Sequence, residues 1–510
     1  MYTQLLKEAF LEIEDDDATS IKELVDYCRL HNAASPATLE KLEREYHHHP
    51  PSWWHTGPFF IYSMLNHGLR LMNVDVIMKM GFFIRHLHKH IEKLHAKQQS
   101  DKPTSEPFTV FRGQGLSMED FNKMKQTKGG LMSFNNFLST SRQRDISLGF
   151  ARLSLGDTNS IAILFVMNID SMVCVQSKIP YVDVKGVGYY DNQEEEILFT
   201  THTIFRINQI KRIEDKDTDR LWQVNLTLTG DDDNELNTLT SHLREEDCGT
   251  KGWTRLGRIL VILGDSAKAE LLYTILLDKA SSDYGRVEYN NQLGTVYNNM
   301  GEYSKALSSY ERSLEIEKIA LPPNHPDLAK SYNNIGLVYY HMGEYSKALS
   351  SYERSLEISK IALPPNHPDL AKSYNNIGLV YYNMGEYSKA LSPHERSLEI
   401  QKIALPPNHA DLAASHNNIG LVYHHMGEYS KALSSYERSL EIQKIALPPN
   451  HPDLATSYNN IGVVYKSMGE YSKALSYYEK ALQIKKIALP PGHPSTALME
   501  INIELLKKKM

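Results

Sequence analysis

Gly188-Tyr-Tyr-Asp-Asn-Gln-Glu-Glu-Glu-Ile-Leu-Phe199 runs three adjacent carboxylates directly into an apolar, strand-like segment. Glu194, Glu195 and Glu196 repel one another, and crowding them gains a fold nothing unless one or two have a chemical task. If Glu196 opens a strand, alternation turns Glu194 and Glu196 to one side and Glu195 to the other. Two carboxylates then face one pocket, with the aromatic turn Tyr189-Tyr190 just ahead of them. A solvated acidic turn before a strand explains the stretch in isolation. Its neighbours supply a richer context.

Around it, residues 101–230 are rich in β-branched and aromatic residues. Phe108–Gly113, Phe134–Ser141, Ile161–Ile169, Glu196–Ile213 and Trp222–Leu228 read as strands, separated by Gly, Asp and Asn. Residues 1–100 read as helical instead. Ile21–Arg29 and Leu39–Tyr46 are short amphipathic pieces, and His47-His-His-Pro-Pro breaks the chain. A long apolar-periodic segment then runs from Phe59 to His95, with Tyr62, Leu65, Leu69 and Met72 at helical spacing. Helices first and a mainly antiparallel sheet second make an α+β unit over 1–230. His86 and His90 share a helix face, but no Cys or third ligand stands at a suitable spacing, so an exposed basic face is expected there and no metal site.

Thr229-Gly-Asp-Asp-Asp-Asn-Glu opens a polar, acidic break, and 231–250 reads as a linker. Beyond it the chain repeats itself. Gly-Glu-Tyr-Ser-Lys-Ala-Leu-Ser recurs from Gly301, Gly343, Gly385, Gly427 and Gly469, every 42 residues, and a fixed period of that length signals a solenoid. Each unit decodes as two helices. His325-Pro-Asp327 starts the first, Leu328, Tyr332, Ile335, Tyr339 and Met342 form its apolar stripe, and Gly343 turns the chain. Tyr345, Ala348, Leu349, Tyr352 and Leu356 form the second stripe, with Gly336 and Ala348 small enough for a close approach. The pattern resembles the tetratricopeptide repeat, and the Leu-Pro-Pro-Asn-His-Pro-Asp spacer is similar to that of kinesin light chains. Counting a shorter first unit from Trp253, about six units fill 251–510, an all-α solenoid. The recurring histidines at helix starts, such as His325, are expected to cap. Asn291, Asn334, Asn376, Asn418 and Asn460 are candidates for lining a groove and clamping a peptide backbone with one donor and one acceptor each.

With 41% apolar and 23% charged residues the composition is that of ordinary globular material, and 510 residues suggest about three domains. A net charge of −7 without a basic stripe argues against a nucleic-acid partner. The start lacks the basic region and apolar block of a secretory signal, and the longest apolar runs are too short to span a bilayer. Three cysteines, Cys28, Cys174 and Cys248, fit a reducing compartment. A cytoplasmic protein without membrane contact is the expectation.

Three features recur in order through the α+β unit: Val110-Phe-Arg-Gly-Gln-Gly115, Phe137-Leu-Ser-Thr-Ser141 and Glu194-Glu-Glu196. Together they closely resemble the arginine–serine–glutamate signature of mono-ADP-ribosyltransferases, over about residues 50–215. Tyr62-Ser-Met-Leu-Asn-His-Gly-Leu-Arg70 and the run from Leu138 to Gly149-Phe-Ala151 support the match. The resemblance implies an α+β ADP-ribosyltransferase domain, with a helical lobe at 1–100 and an NAD-binding β core at 101–230.

It also implies roles. Arg112 would pair with the NAD pyrophosphate, a planar fork suiting phosphate better than Lys does. Gly113 would leave backbone groups free to bond the nicotinamide amide. Ser139 would bind the nicotinamide ribose and orient Glu196, supported by Thr140 and Ser141. Glu196 would stabilise the oxocarbenium-like ribose left when nicotinamide departs, and no metal is needed because that leaving group is already a cationic pyridinium. Glu194 would hold an acceptor guanidinium, since in this family a Glu two places before the catalytic Glu goes with arginine acceptors. The register of Glu196-Ile-Leu selects Glu194 over the neighbouring Gln193.

The reading is thus an NAD-dependent protein-arginine ADP-ribosyltransferase, a pentosyl transfer enzyme, whose repeats dock target proteins or partners. The resemblance implies NAD or NADP as the ADP-ribose donor. Two alternatives remain: an NAD glycohydrolase, in which water outcompetes any acceptor, and a peptide-binding repeat adaptor carrying an inactive transferase domain.

Overall fold

The computed structural model describes residues 3–13, 16–101, 106–156, 159–176, 179–189, 195–216, 218–230, 252–489 and 492–510. They fall into two compact units, Met1–Leu276 and Leu277–Met510. The boundary read at 231–250 lies outside the described residues. The helices Gly252–Ile262 and most of Ser266–Lys279 belong with the first unit.

That unit begins with α1 (Thr3–Leu11), α2 (Asp17–Leu30), α3 (Pro36–Glu45), α4 (Pro51–Thr56), α5 (Phe60–Leu71) and α6 (Val74–Asp101). Local signals place the helix starts. Asp16 accepts from Thr19 N ahead of α2, and Ser35 accepts from Thr38 N with Pro36 at the first turn of α3. The long periodic segment breaks at Met72, whose left-handed backbone (φ 50°) ends α5. α6 runs through the lobe and buries Ile77, Met80, Phe83, Ile84, Leu87 and Ile91.

Burial of α6 corrects the expected exposed histidine face. His86 is half-buried, its Nδ1 2.9 Å from the Tyr46 hydroxyl and its Nε2 3.0 Å from Asp17. His88 is buried, 2% exposed, and His90 Nε2 lies 3.1 Å from Ser52 Oγ. The i, i+4 spacing was read as one solvent face, but α2, α4 and α1 pack around this helix.

The strands are β1 (Phe108–Ser117), β2 (Leu131–Phe134), β3 (Leu138–Ser141), β4 (Ser160–Ile169), β5 (Tyr181–Asp183), β6 (Glu196–Phe199), β7 (Thr203–Arg212) and β8 (Leu221–Leu228). α7 (Met118–Gln126) follows β1, α8 (Arg144–Leu153) follows β3, and α9 (Ser171–Gln176) follows β4. The eight strands form one sheet in the order β2-β7-β8-β4-β1-β3-β6-β5. Its pairs are antiparallel except β4 with β8. The core beneath it holds Val110, Leu138, Phe165, Ile197, Phe199 and Phe205. The mainly antiparallel α+β expectation therefore holds.

The second unit is a succession of paired helices of 16 to 18 residues, such as Pro326–His341 with Tyr345–Ala362, closed by Pro494–Lys507. Gly343 turns the chain at φ 76°, a conformation in which a Cβ would be strained. Leu328, Ile335 and Val338 are buried with Ala348, Tyr352 and Leu356, whereas Met342 is 41% exposed. The close approach at Gly336 is made by an aromatic ring: a Cβ there would stand 2.9 Å from Tyr352. His325, His367, His409, His451 and His493 cap their helices through Nδ1, as expected.

Candidate active site

β3 is flanked by β1 and β6, and this arrangement brings the separated motifs together. Phe111 of β1 stands opposite Ser141, and Ser141 opposite Glu196. Alternation sends Ser139 and Ser141 to one face and Thr140 to the other. Thr140 is 3% exposed and donates Oγ1 to the Ile197 carbonyl at 2.8 Å, stitching β3 to β6. Ser141 Oγ accepts from Gln143 N at 3.0 Å and shapes the turn into α8.

Arg112 reaches across from β1. Its Nη1 donates to the Ser139 carbonyl at 2.7 Å and its Nε to Gln114 Oε1 at 3.1 Å. Gly113 is occupied on its Cβ side by α8, where an added Cβ would lie 1.8 Å from the Ser147 carbonyl. Close packing of helix on strand therefore requires glycine here.

A cavity of about 280 Å³ is lined by Arg112, Gly113, Ser139, Thr140, Ser141 and Glu196, together with Tyr62, Phe150 and Glu195. A second chamber of about 770 Å³ shares Tyr62 and Arg112 as walls and extends along Asn66, Arg70, Gln114 and Asn136. The two meet at Tyr62 and Arg112, with Arg112 at the waist, and the larger is within the size range of small-ligand sites. Glu194 lies outside the described residues.

Four contributors were not assigned roles from sequence. Tyr62, grouped with the apolar stripe of α5, lies one face round from Leu65 and Leu69. With Asn66 and Arg70 it forms a parallel polar row at i, i+4 and i+8 that lines the larger chamber. Both side-chain atoms of Asn66 are buried with no hydrogen-bond partner among the described residues. The i, i+4 spacing was the signal available. His55 is the fourth: it is 1% exposed, and both ring nitrogens are unpartnered among the described residues. It packs edge-on to Tyr62, at 5.1 Å between centroids, and near Phe137. Burial, with the Arg112 guanidinium adding to it, pushes its pKa down to about 3, so it stays neutral beneath the cleft.

In the solenoid two of the candidate asparagines bond between repeats. Asn376 Nδ2 donates to Asn333 Oδ1, and Asn418 Nδ2 to Asn375 Oδ1, both at 2.9 Å. Asn334 and Asn460 occupy the same register, but the Oδ1 atoms of Asn291 and Asn417 that would accept from them have no partner among the described residues. The Asn376 and Asn418 bonds tie successive repeats to one another.

Residues 60–230 match the ADP-ribosyltransferase exoenzyme family. Residues 286–361, 370–411 and 411–487 match tetratricopeptide repeats. The chain thus carries an ADP-ribosyltransferase exoenzyme domain followed by a tetratricopeptide solenoid. No curated protein matches it. Among solved structures it is similar to a Podosopora anserina structure whose description names kinesin light chain nearly identical TPR-like repeats. That match has 22% identity and a TM-score of 0.38, covering 41% of this chain and 99% of the other. BtubC from P. vanneervenii matches at 23% identity and a TM-score of 0.39, covering 45% and 92%. YrrB, a TPR protein with an unusual peptide-binding site, matches at 20% identity and 0.31, covering 47% and 98%. Among the described residues no helix is long and apolar enough to cross a membrane, and no group of three metal-ligating side chains is found.

Proposed function

We propose that the protein transfers ADP-ribose from NAD to arginine side chains of target proteins, and that its repeats dock those targets or partner proteins. The observation that carries this reading is the convergence of Arg112, Ser139 and Glu196 on one cavity. The two chambers suit an elongated ligand with two lobes, and Arg112 at the waist suits a pyrophosphate.

In this reading the nicotinamide end lies in the smaller chamber, against Ser139 and Glu196. The C1′–N1 bond breaks, and its electron pair leaves on the nicotinamide nitrogen. Glu196 places negative charge beside the cationic ribose. A guanidine nitrogen then forms the new bond to C1′, and Glu194 takes the proton it sheds. Because guanidinium is so weakly acidic, proton loss accompanies attack. Neutral His55 adds no second cation under the site, which favours development of positive charge on the ribose.

The test is nicotinamide release from NAD by the full chain and by Glu196→Gln. Release by the wild type and its loss in the variant support the reading. Equal release by both removes it.

A further inference from the structure

Residues 51–59 precede the stretch that matches the exoenzyme family, yet they hold the turn that leads towards its carboxylates. Ser52 is fully buried and donates Oγ to the Val187 carbonyl at 2.9 Å, leaving its oxygen to accept from His90 Nε2 at 3.1 Å. Thr56 Oγ1 donates to the Ser52 carbonyl and accepts from Tyr189 N, both at 2.9 Å. The Tyr189 ring rests against Trp53, with centroids 5.0 Å apart, and perpendicular to Phe59 at 5.5 Å. Gly188 lies so close that a Cβ would be 2.9 Å from Thr56 Oγ1.

The turn is closed on itself and tied to β6. Val187 N and Gly188 N both donate to the Val184 carbonyl, at 3.1 and 3.0 Å, and Val184 N donates to the Glu196 carbonyl at 3.1 Å. On the far side, Arg142 N donates to the Glu195 carbonyl at 3.2 Å. The chain is thereby fixed at Tyr189 by the helical lobe and at Glu195 and Glu196 by the sheet.

We propose that α4 is a brace for the acceptor side of the site, with Thr56 and Ser52 as positioning residues. By fixing where the chain leaves Tyr189, they set how the ADP-ribosyl group partitions between a bound guanidine and water. The proposal rests on the transferase reading above. NAD cleavage draws on β1, β3 and β6, whereas the brace touches the turn before the acceptor carboxylate, so the two functions separate experimentally.

The experiment uses the full chain with NAD and agmatine, following nicotinamide and ADP-ribosyl-agmatine together, in the wild type, Thr56→Val and Thr56→Ser. Thr56→Val keeps the shape and removes both hydrogen bonds. It is expected to raise the agmatine KM about tenfold, the scale of a small misplacement of reacting groups, while nicotinamide release without agmatine stays within about twofold. Thr56→Ser restores the wild-type KM. On the same proteins, hydrogen exchange at the Tyr189 amide is expected to quicken in Thr56→Val alone. An unchanged agmatine KM, an unchanged Tyr189 exchange, or cleavage and transfer falling in parallel would each overturn the proposal. A wild type that releases no nicotinamide overturns the transferase reading itself, a result distinguishable because it appears before any variant is compared.

Discussion

Arg112 on β1 donates from Nη1 to the backbone carbonyl of Ser139 on β3, at 2.7 Å. The cation at the waist of the cleft is therefore aimed by the strand that carries the serine. A lysine has no planar fork to reach both this carbonyl and Gln114. Arg112→Lys is expected to lower kcat/KM for nicotinamide release about a hundredfold. The measurement is steady-state NAD cleavage, with far-UV circular dichroism as the control for folding.

Gly113 is a packing position before it is a binding one. Gly113→Ala drives a methyl group into the α8 backbone at Ser147. Overpacking of this kind costs about 1–3 kcal/mol, so the melting temperature of the first unit is expected to fall by about 5 °C. Differential scanning calorimetry reads the shift.

The solenoid carries one irregular repeat. Tyr352 and Tyr436 pack over Gly336 and Gly420, whereas His394 takes that place over Gly378, preceded by Pro393 inside the helix Tyr387–Ala404. His394 is 1% exposed, its Nδ1 lacks a partner among the described residues, and burial lowers its pKa to about 4. The unfolded chain, with the ordinary value near 6.5, takes up a proton before the folded one does. Stability is therefore full above about pH 6.5 and falls as the pH drops towards 4, by about 3 kcal/mol for this group. His394→Tyr is expected to raise the melting temperature of the second unit, with the gain widening between pH 6.5 and 4.5. A gain independent of pH would show that the imidazole is not what titrates.

Arg255 and the amide of Gly252 both bond Glu12 of the α1 end, joining the first helix after the acidic stretch to the start of the chain. A chain cut after Lys279 is expected to keep nicotinamide release, whereas a cut after Thr250 exposes α1 and lowers the melting temperature of the first unit. Activity and thermal melting of the two truncations decide this. Modification of a large protein target, but not of agmatine, is expected to fall in both.

Much of this was legible in the sequence, and for identifiable reasons. The 42-residue period, the Gly-mediated turns and the His-Pro-Asp caps are local signals, and they placed the solenoid helices. Composition marked Phe134–Ser141 and Glu196–Ile213 as strand segments; the structure divides the first between β2, which ends at Phe134, and β3, and the second between β6 and β7, and the β3–β6 pairing sets Ser141 opposite Glu196. What was not legible depends on contacts distant in sequence. The face of α6 bearing His86 and His90 is polar by composition, and only its packing against α2 and α4 shows it to be covered. His55 has no pattern around it. Its place against Tyr62 and Phe137 follows from the fold, as does the Thr56 bond to Tyr189, which spans more than a hundred residues of chain.

The central claim is tested most directly by incubating the full chain with NAD and agmatine and measuring ADP-ribosyl-agmatine alongside free nicotinamide, in the wild type and Glu194→Ala. The account predicts adduct from the wild type, and from the variant a loss of adduct with nicotinamide release retained. Nicotinamide without adduct from the wild type, or undiminished adduct from Glu194→Ala, would contradict it.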